Sequence, residues 1–134
     1  MSAAREALDR LVEGAEAGRL DEFFADHGVE LMTAFGSATA DEGRASDLDL
    51  AVSLEPGSDL YALVADLIGL LGFDQVDVVD LRTADVVLRA EALGACVPIF
   101  ESRPGLYARR QMAALTERME TAYLRRRDLE LLSS

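Results

Sequence analysis

Residues 35–51 read FGSATADEGRASDLDLA: a Gly-Ser turn, a polar loop, then two aspartates one residue apart at the start of an apolar run. Successive side chains of a β-strand point to opposite faces, so Asp47 and Asp49 share one face while Leu48, Leu50 and Val52 share the other. Aspartate is disfavoured within strands, and two at alternating positions flanked by Leu and Val need a reason. Paired carboxylates delivered by a short loop from a small-residue turn point to a site for divalent metal and phosphate.

Working outward, Val29 to Phe35 reads as a strand leading into Gly36-Ser37, and Asp47 to Leu54 as a second strand paired with it in a hairpin. Ahead of them, Ala3 to Ala17 carries Leu8, Leu11, Val12 and Ala15 at helical spacing, and Leu20 to Asp26 is a short helix ending at His27. The only histidine, His27, has no second histidine or cysteine nearby to complete a metal set and reads as a helix-terminus residue. Beyond Pro56-Gly57, Ser58 is the expected cap of a helix whose stripe is Leu60, Leu63, Val64, Leu67, Ile68 and Leu71, closed by Gly72.

Gln75 to Leu81 is a third, β-branched strand in which Asp77 faces with Val79 and Leu81 while Asp80 faces away. Thr83 is the expected cap of a helix to about Leu93, and Cys96 to Phe100 a last strand that Pro98 places at a sheet edge. Pro104-Gly105 introduces a long helix over 106–132, with Ala108, Met112, Leu115, Met119 and Ala122 on one stripe. The expected fold is α+β, a small mixed β-sheet with helices packed on one side. Set beside the second strand, the third would bring Asp77 to Asp47 and Asp49.

A chain of 134 residues with no repeat or low-complexity linker is expected to form one domain over 1–134. No apolar run approaches a membrane span, and the N-terminus lacks a basic region followed by an apolar one, so a cytoplasmic protein is expected. Twenty-five acidic against thirteen basic residues, a net charge of -12, oppose gripping a nucleic acid by its phosphates. The single cysteine, Cys96, sits in an apolar run and reads as a packed thiol.

FGS at 35–37, DLDLAV at 47–52 and VDVVDL at 76–81 together resemble the DNA polymerase β nucleotidyltransferase superfamily. The leading helix, the segment LRAEALGACVPIFES at 88–102 and the long last helix extend the resemblance over nearly the whole chain, to the minimal nucleotidyltransferase antitoxins. The resemblance implies transfer of AMP from ATP to a hydroxyl, with two Mg²⁺ ions held by Asp47, Asp49 and Asp77. It further implies that Asp77 helps deprotonate the attacking oxygen, and that Gly36 and Ser37 lie against the triphosphate. The implied acceptor is a tyrosine of a partner HEPN-type ribonuclease toxin, which the modification disables.

Where that family carries an arginine-glycine pair after the serine, this chain has Ala40 and Asp41, and Arg44 is the residue expected to contact phosphate instead. The loop is acidic at Asp41 and Glu42, so weaker nucleotide binding is expected. Two other functions fit the same residues: an antitoxin that acts by contact alone, and nucleotidyl transfer to a small-molecule hydroxyl. Arginines at 103, 109, 110, 118 and 125–127 concentrate in the last third, which is either a partner surface or a solvated helix face.

Overall fold

The computed structural model describes residues 2–40 and 46–133. The elements run α1 (Ala3–Glu16), α2 (Asp21–Asp26), β1 (Val29–Phe35), β2 (Leu48–Leu54), α3 (Leu60–Leu71), β3 (Val76–Asp80), α4 (Val86–Gly94), β4 (Val97–Glu101) and α5 (Leu106–Ser133). The strands form one mixed sheet in the order β3-β2-β1-β4. β1 pairs antiparallel with β2 and with β4, and β3 lies parallel to β2 after the α3 crossover. The expected hairpin is there, Pro98 lies in an edge strand, and β2 has β3 beside it.

The helices do not keep to one side, contrary to expectation. Met32, Ala34, Leu48, Leu50 and Val52 pack with α1, α2 and α3, whereas Leu31, Phe35 and Ala51 pack with Ala92 and Leu93 of α4 and Leu106 of α5. The physical reason lies in the two central strands: β1 and β2 are buried at nearly every position, as strands covered on both faces are. A one-sided sheet would have shown a clean alternation of apolar and polar residues.

Two helix caps also move. Asp59, rather than Ser58, caps α3, its carboxylate accepting from the Tyr61 and Ala62 amides at 2.9 and 3.2 Å. Asp85, rather than Thr83, caps α4 by accepting from the Leu88 amide at 2.8 Å. In both places an aspartate two or fewer residues downstream has the extended backbone a cap requires, and its charge also suits the helix N-terminus. His27 ends α2 as expected, with Nε2 2.9 Å from Asp66 of α3 and its ring against Phe23.

α5 is fastened at its first turns and then leaves the body. Glu101 accepts from the Tyr107 amide at 2.9 Å, and the Tyr107 hydroxyl donates to the Leu93 carbonyl at 3.1 Å while Gln111 donates to it at 3.0 Å. Cys96 Sγ lies 3.2 Å from the same hydroxyl, so the thiol is packed as expected, and burial pushes its titration upward. Of 28 residues in α5 only Leu106 and Ala114 are buried, and the stripe through Met112 and Met119 faces outward.

Burial, reinforced by Cys96, pushes the Tyr107 phenol up from 10.0 to about 12. The folded chain therefore keeps a proton that the unfolded chain releases, so this contribution is whole below pH 10 and is lost as pH rises from 10 towards 12. Tyr107→Phe is expected to lower stability by about 1–2 kcal/mol at neutral pH, through the lost bonds to Leu93 and Gln111. Urea unfolding across pH 7 to 11 checks both: the variant should be weaker at neutral pH and should decline less in alkali.

Candidate functional site

The site begins where β1 stops. Phe35 is in register with Asp49 on β2, and Asp49 is in register with Asp77 on β3, so the chosen carboxylates project from neighbouring strands on the face shared with α4. Asp47 immediately precedes β2 and completes the row. The hairpin and the parallel crossover together bring residues thirty positions apart to one end of the sheet.

Gly36 turns the chain with φ +76°, in the left-handed region where a side chain is strained. It must also be small, because a methyl group there would overlap Asp49 Oδ2. Its carbonyl accepts from the Thr39 amide at 3.2 Å and from the Thr39 hydroxyl at 2.8 Å, which closes the turn and leaves Ser37 exposed. From α1, Arg5 Nη1 donates to the Ala38 and Thr39 carbonyls, both at 3.1 Å, and Arg5 Nε pairs with Asp9 at 3.2 Å. Arg5 thus clamps the turn that presents Ser37, a role no local motif advertised.

Electrostatically the site is strained by like charge. Asp49 has its carboxyl pushed above the ordinary 3.8, first by burial and then by the charges of Asp77, Asp47 and Glu91. Glu91, an exposed residue of α4, is a fourth carboxylate that sequence reasoning missed. No sequence signal marks it: it reaches the site through the packing of α4 across β1, where Thr33 Oγ1 donates to the carbonyl of neighbouring Ala92 at 2.8 Å.

The donors are hard carboxylate oxygens, the set that magnesium-class cations take, and their mutual repulsion is what such cations offset. Among the described residues no three His, Cys, Asp or Glu side chains close on a common point as a finished metal cage would. Asp80 takes no part, since its Oδ1 accepts from the Arg82 amide at 2.9 Å and finishes β3. Arg44, the expected phosphate contact, lies outside the described residues, as do Asp41 and Glu42.

Residues 19–104 match the model of the family described as polymerase beta, nucleotidyltransferase. The chain belongs to this family. No curated protein matches it in sequence. As a polymerase β-type nucleotidyltransferase it shares its fold with a chain of a toxin-antitoxin crystal structure with AMP-PNP, at TM-score 0.67 and 20% identity over 87% of this chain and 98% of that one. A chain of the MntA-HepT toxin-antitoxin structure gives 0.62 and 20%, over 87% and 96%. A chain from the complex of tri-AMPylated Shewanella oneidensis HEPN toxin with MNT antitoxin gives 0.62 and 19%, over 87% and 95%.

Two helices of this nucleotidyltransferase lie wholly outside the family match: α1, which carries the Arg5 clamp, and α5. No helix of the described residues is long and apolar enough to cross a membrane.

Proposed function

We propose that the chain is an antitoxin that acts in the cytoplasm by transferring AMP from ATP to a tyrosine hydroxyl of a HEPN-type toxin. The observation that carries this reading is the register of Asp49 with Asp77 beside a glycine turn that a side chain would block. The structural neighbours support the partner and the nucleotide, being toxin-antitoxin complexes with AMP-PNP in one and an AMPylated HEPN toxin in another. α5 supports a protein partner too, since Met119 is 72% and Leu132 84% exposed on a helix that leaves the body.

In this reading Asp47, Asp49 and Asp77 would hold two Mg²⁺ ions, which would supply positive charge to offset that of the triphosphate and of the carboxylates themselves. Gly36 lets the backbone approach the triphosphate, and the Ser37 hydroxyl donates a hydrogen bond to it. Asp77 sits on the outer strand of the sheet, exposed, where an acceptor hydroxyl can reach it, and it takes up the proton as the oxygen attacks. The acceptor oxygen bonds to the α-phosphorus of ATP as that phosphorus's bond to the β-phosphate oxygen breaks, and pyrophosphate leaves.

The test incubates the chain, Mg²⁺ and ATP labelled at the α-phosphate with a HEPN-type toxin. Label is expected on a toxin tyrosine with wild type and not with Asp47→Ala. Toxin inhibition that survives Asp47→Ala without label would replace this reading with inhibition by contact alone, and label on an added small-molecule hydroxyl instead would replace the acceptor.

Arg5→Gln bears on the turn rather than the carboxylates. It frees the Ala38 and Thr39 carbonyls, so the KM for ATP is expected to rise about tenfold with a smaller change in kcat. Steady-state kinetics over ATP concentration separates the two, and an unchanged KM would remove Arg5 from any part in nucleotide binding.

A further inference from the structure

Away from the aspartates, on the same face of the sheet, α4, α5 and the end of β2 enclose a cavity of about 330 Å³. Its polar lining is Glu30, Ser53, Arg82, Arg89, Arg110 and Glu117, over a floor that includes the buried Leu81 and Ala114. Three of the thirteen arginines of a chain with net charge -12 face one small space.

Their partners are unequal. Arg89 is engaged at all three nitrogens, donating to the Leu81 and Ala84 carbonyls at 3.0 and 2.6 Å and pairing with Glu117 at 3.2 Å. Arg110 donates to the Ser53 hydroxyl at 3.0 Å, and Arg82 to the Leu54 carbonyl at 3.0 Å. Among the described residues neither of these two has a carboxylate within ion-pair distance, although acids outnumber arginines nearly two to one. Each guanidinium has five donors and uses one, so most of their hydrogen-bonding capacity is open to the cavity and to solvent.

We propose that this cavity is a second binding site, which takes a small phosphate monoester. Two guanidiniums held on separate elements can share the three terminal oxygens of a phosphate, whereas a carboxylate offers only two. The apolar floor accepts the body of the ester, and the volume lies at the lower end of small-molecule clefts, roughly 300–1,000 Å³. The site stands apart from the aspartates, so it does not depend on the reaction proposed above.

The probe is phenyl phosphate, titrated into the isotope-labelled chain with amide shifts as readout. Saturable shifts are expected at Leu81, Ala113 and Ala114 with a Kd below about 1 mM, and benzoate should bind at least about tenfold more weakly. Arg110→Gln and Arg82→Gln should each weaken binding about tenfold or more, with circular dichroism confirming the fold. Arg82 is exposed and makes one bond, so its variant keeps the test decisive if the Arg110 variant loosens α5. Shifts confined to residues 36–40, no saturation by about 10 mM, equal binding of benzoate, or unchanged affinity in Arg82→Gln would each overturn the site.

Discussion

Asp49→Asn is expected to abolish nucleotidyl transfer and to make the protein more stable. The carboxylate sits half-buried beside Asp77, Asp47 and Glu91, and burial first, then those three charges, push its proton affinity up. Asparagine keeps the shape that packs on Gly36 but removes the charge, so the fold is relieved of repulsion while the proposed ligand for cations is lost. A fall in transfer on the order of 10³-fold is expected, together with a gain of roughly 0.5–1 kcal/mol, or a few degrees in Tm.

The sign with pH follows from the raised value. Between the ordinary 3.8 and the higher folded value, the folded chain holds a proton that the unfolded chain has released. Wild-type stability in metal-free buffer therefore falls as pH rises through that window, and Asp49→Asn should lack that decline. Added Mg²⁺ should raise the wild-type Tm and leave the variant nearly unmoved. Calorimetry in chelator and in Mg²⁺ measures all of this; a variant less stable than wild type in chelator would show that the carboxylate is held by attraction rather than crowded by charge.

Much of this site can be read from the residues alone, because β-alternation assigns Asp47 and Asp49 to one face without any knowledge of the fold. Asp77 followed from its own strand and one assumption, that β3 neighbours β2, which the register bears out. The second helix layer was harder to see. LMTAF and LAVSL are too continuously apolar for a half-exposed sheet, but an alternating template hides that signal in short strands. Arg5 and Glu91 were illegible for a different reason: each acts from a helix far along the chain, through contacts that only tertiary packing creates. The outward stripe of α5 shows the converse limit, since helical periodicity locates an apolar face without saying what covers it.

Gly36→Ala is expected to damage both the fold and transfer, and it separates two costs that share one residue. The backbone cost comes from φ +76°, about 1–2 kcal/mol for a residue with a Cβ. The second comes from overlap with Asp49 Oδ2, which has to move away from its place between Gly36 and Asp77. In the proposed reaction, displacement of a positioning group by about 1 Å is enough to lower turnover on the order of 10²-fold, so both stability and transfer are expected to fall. A double-mutant cycle with Asp49→Ala distinguishes the causes. If overlap dominates, Gly36→Ala costs at least about 1 kcal/mol less once the carboxylate is gone, because the methyl then has room. A cycle that closes additively would leave the turn's left-handed backbone as the whole reason for glycine, and would free Asp49 from any contact with residue 36.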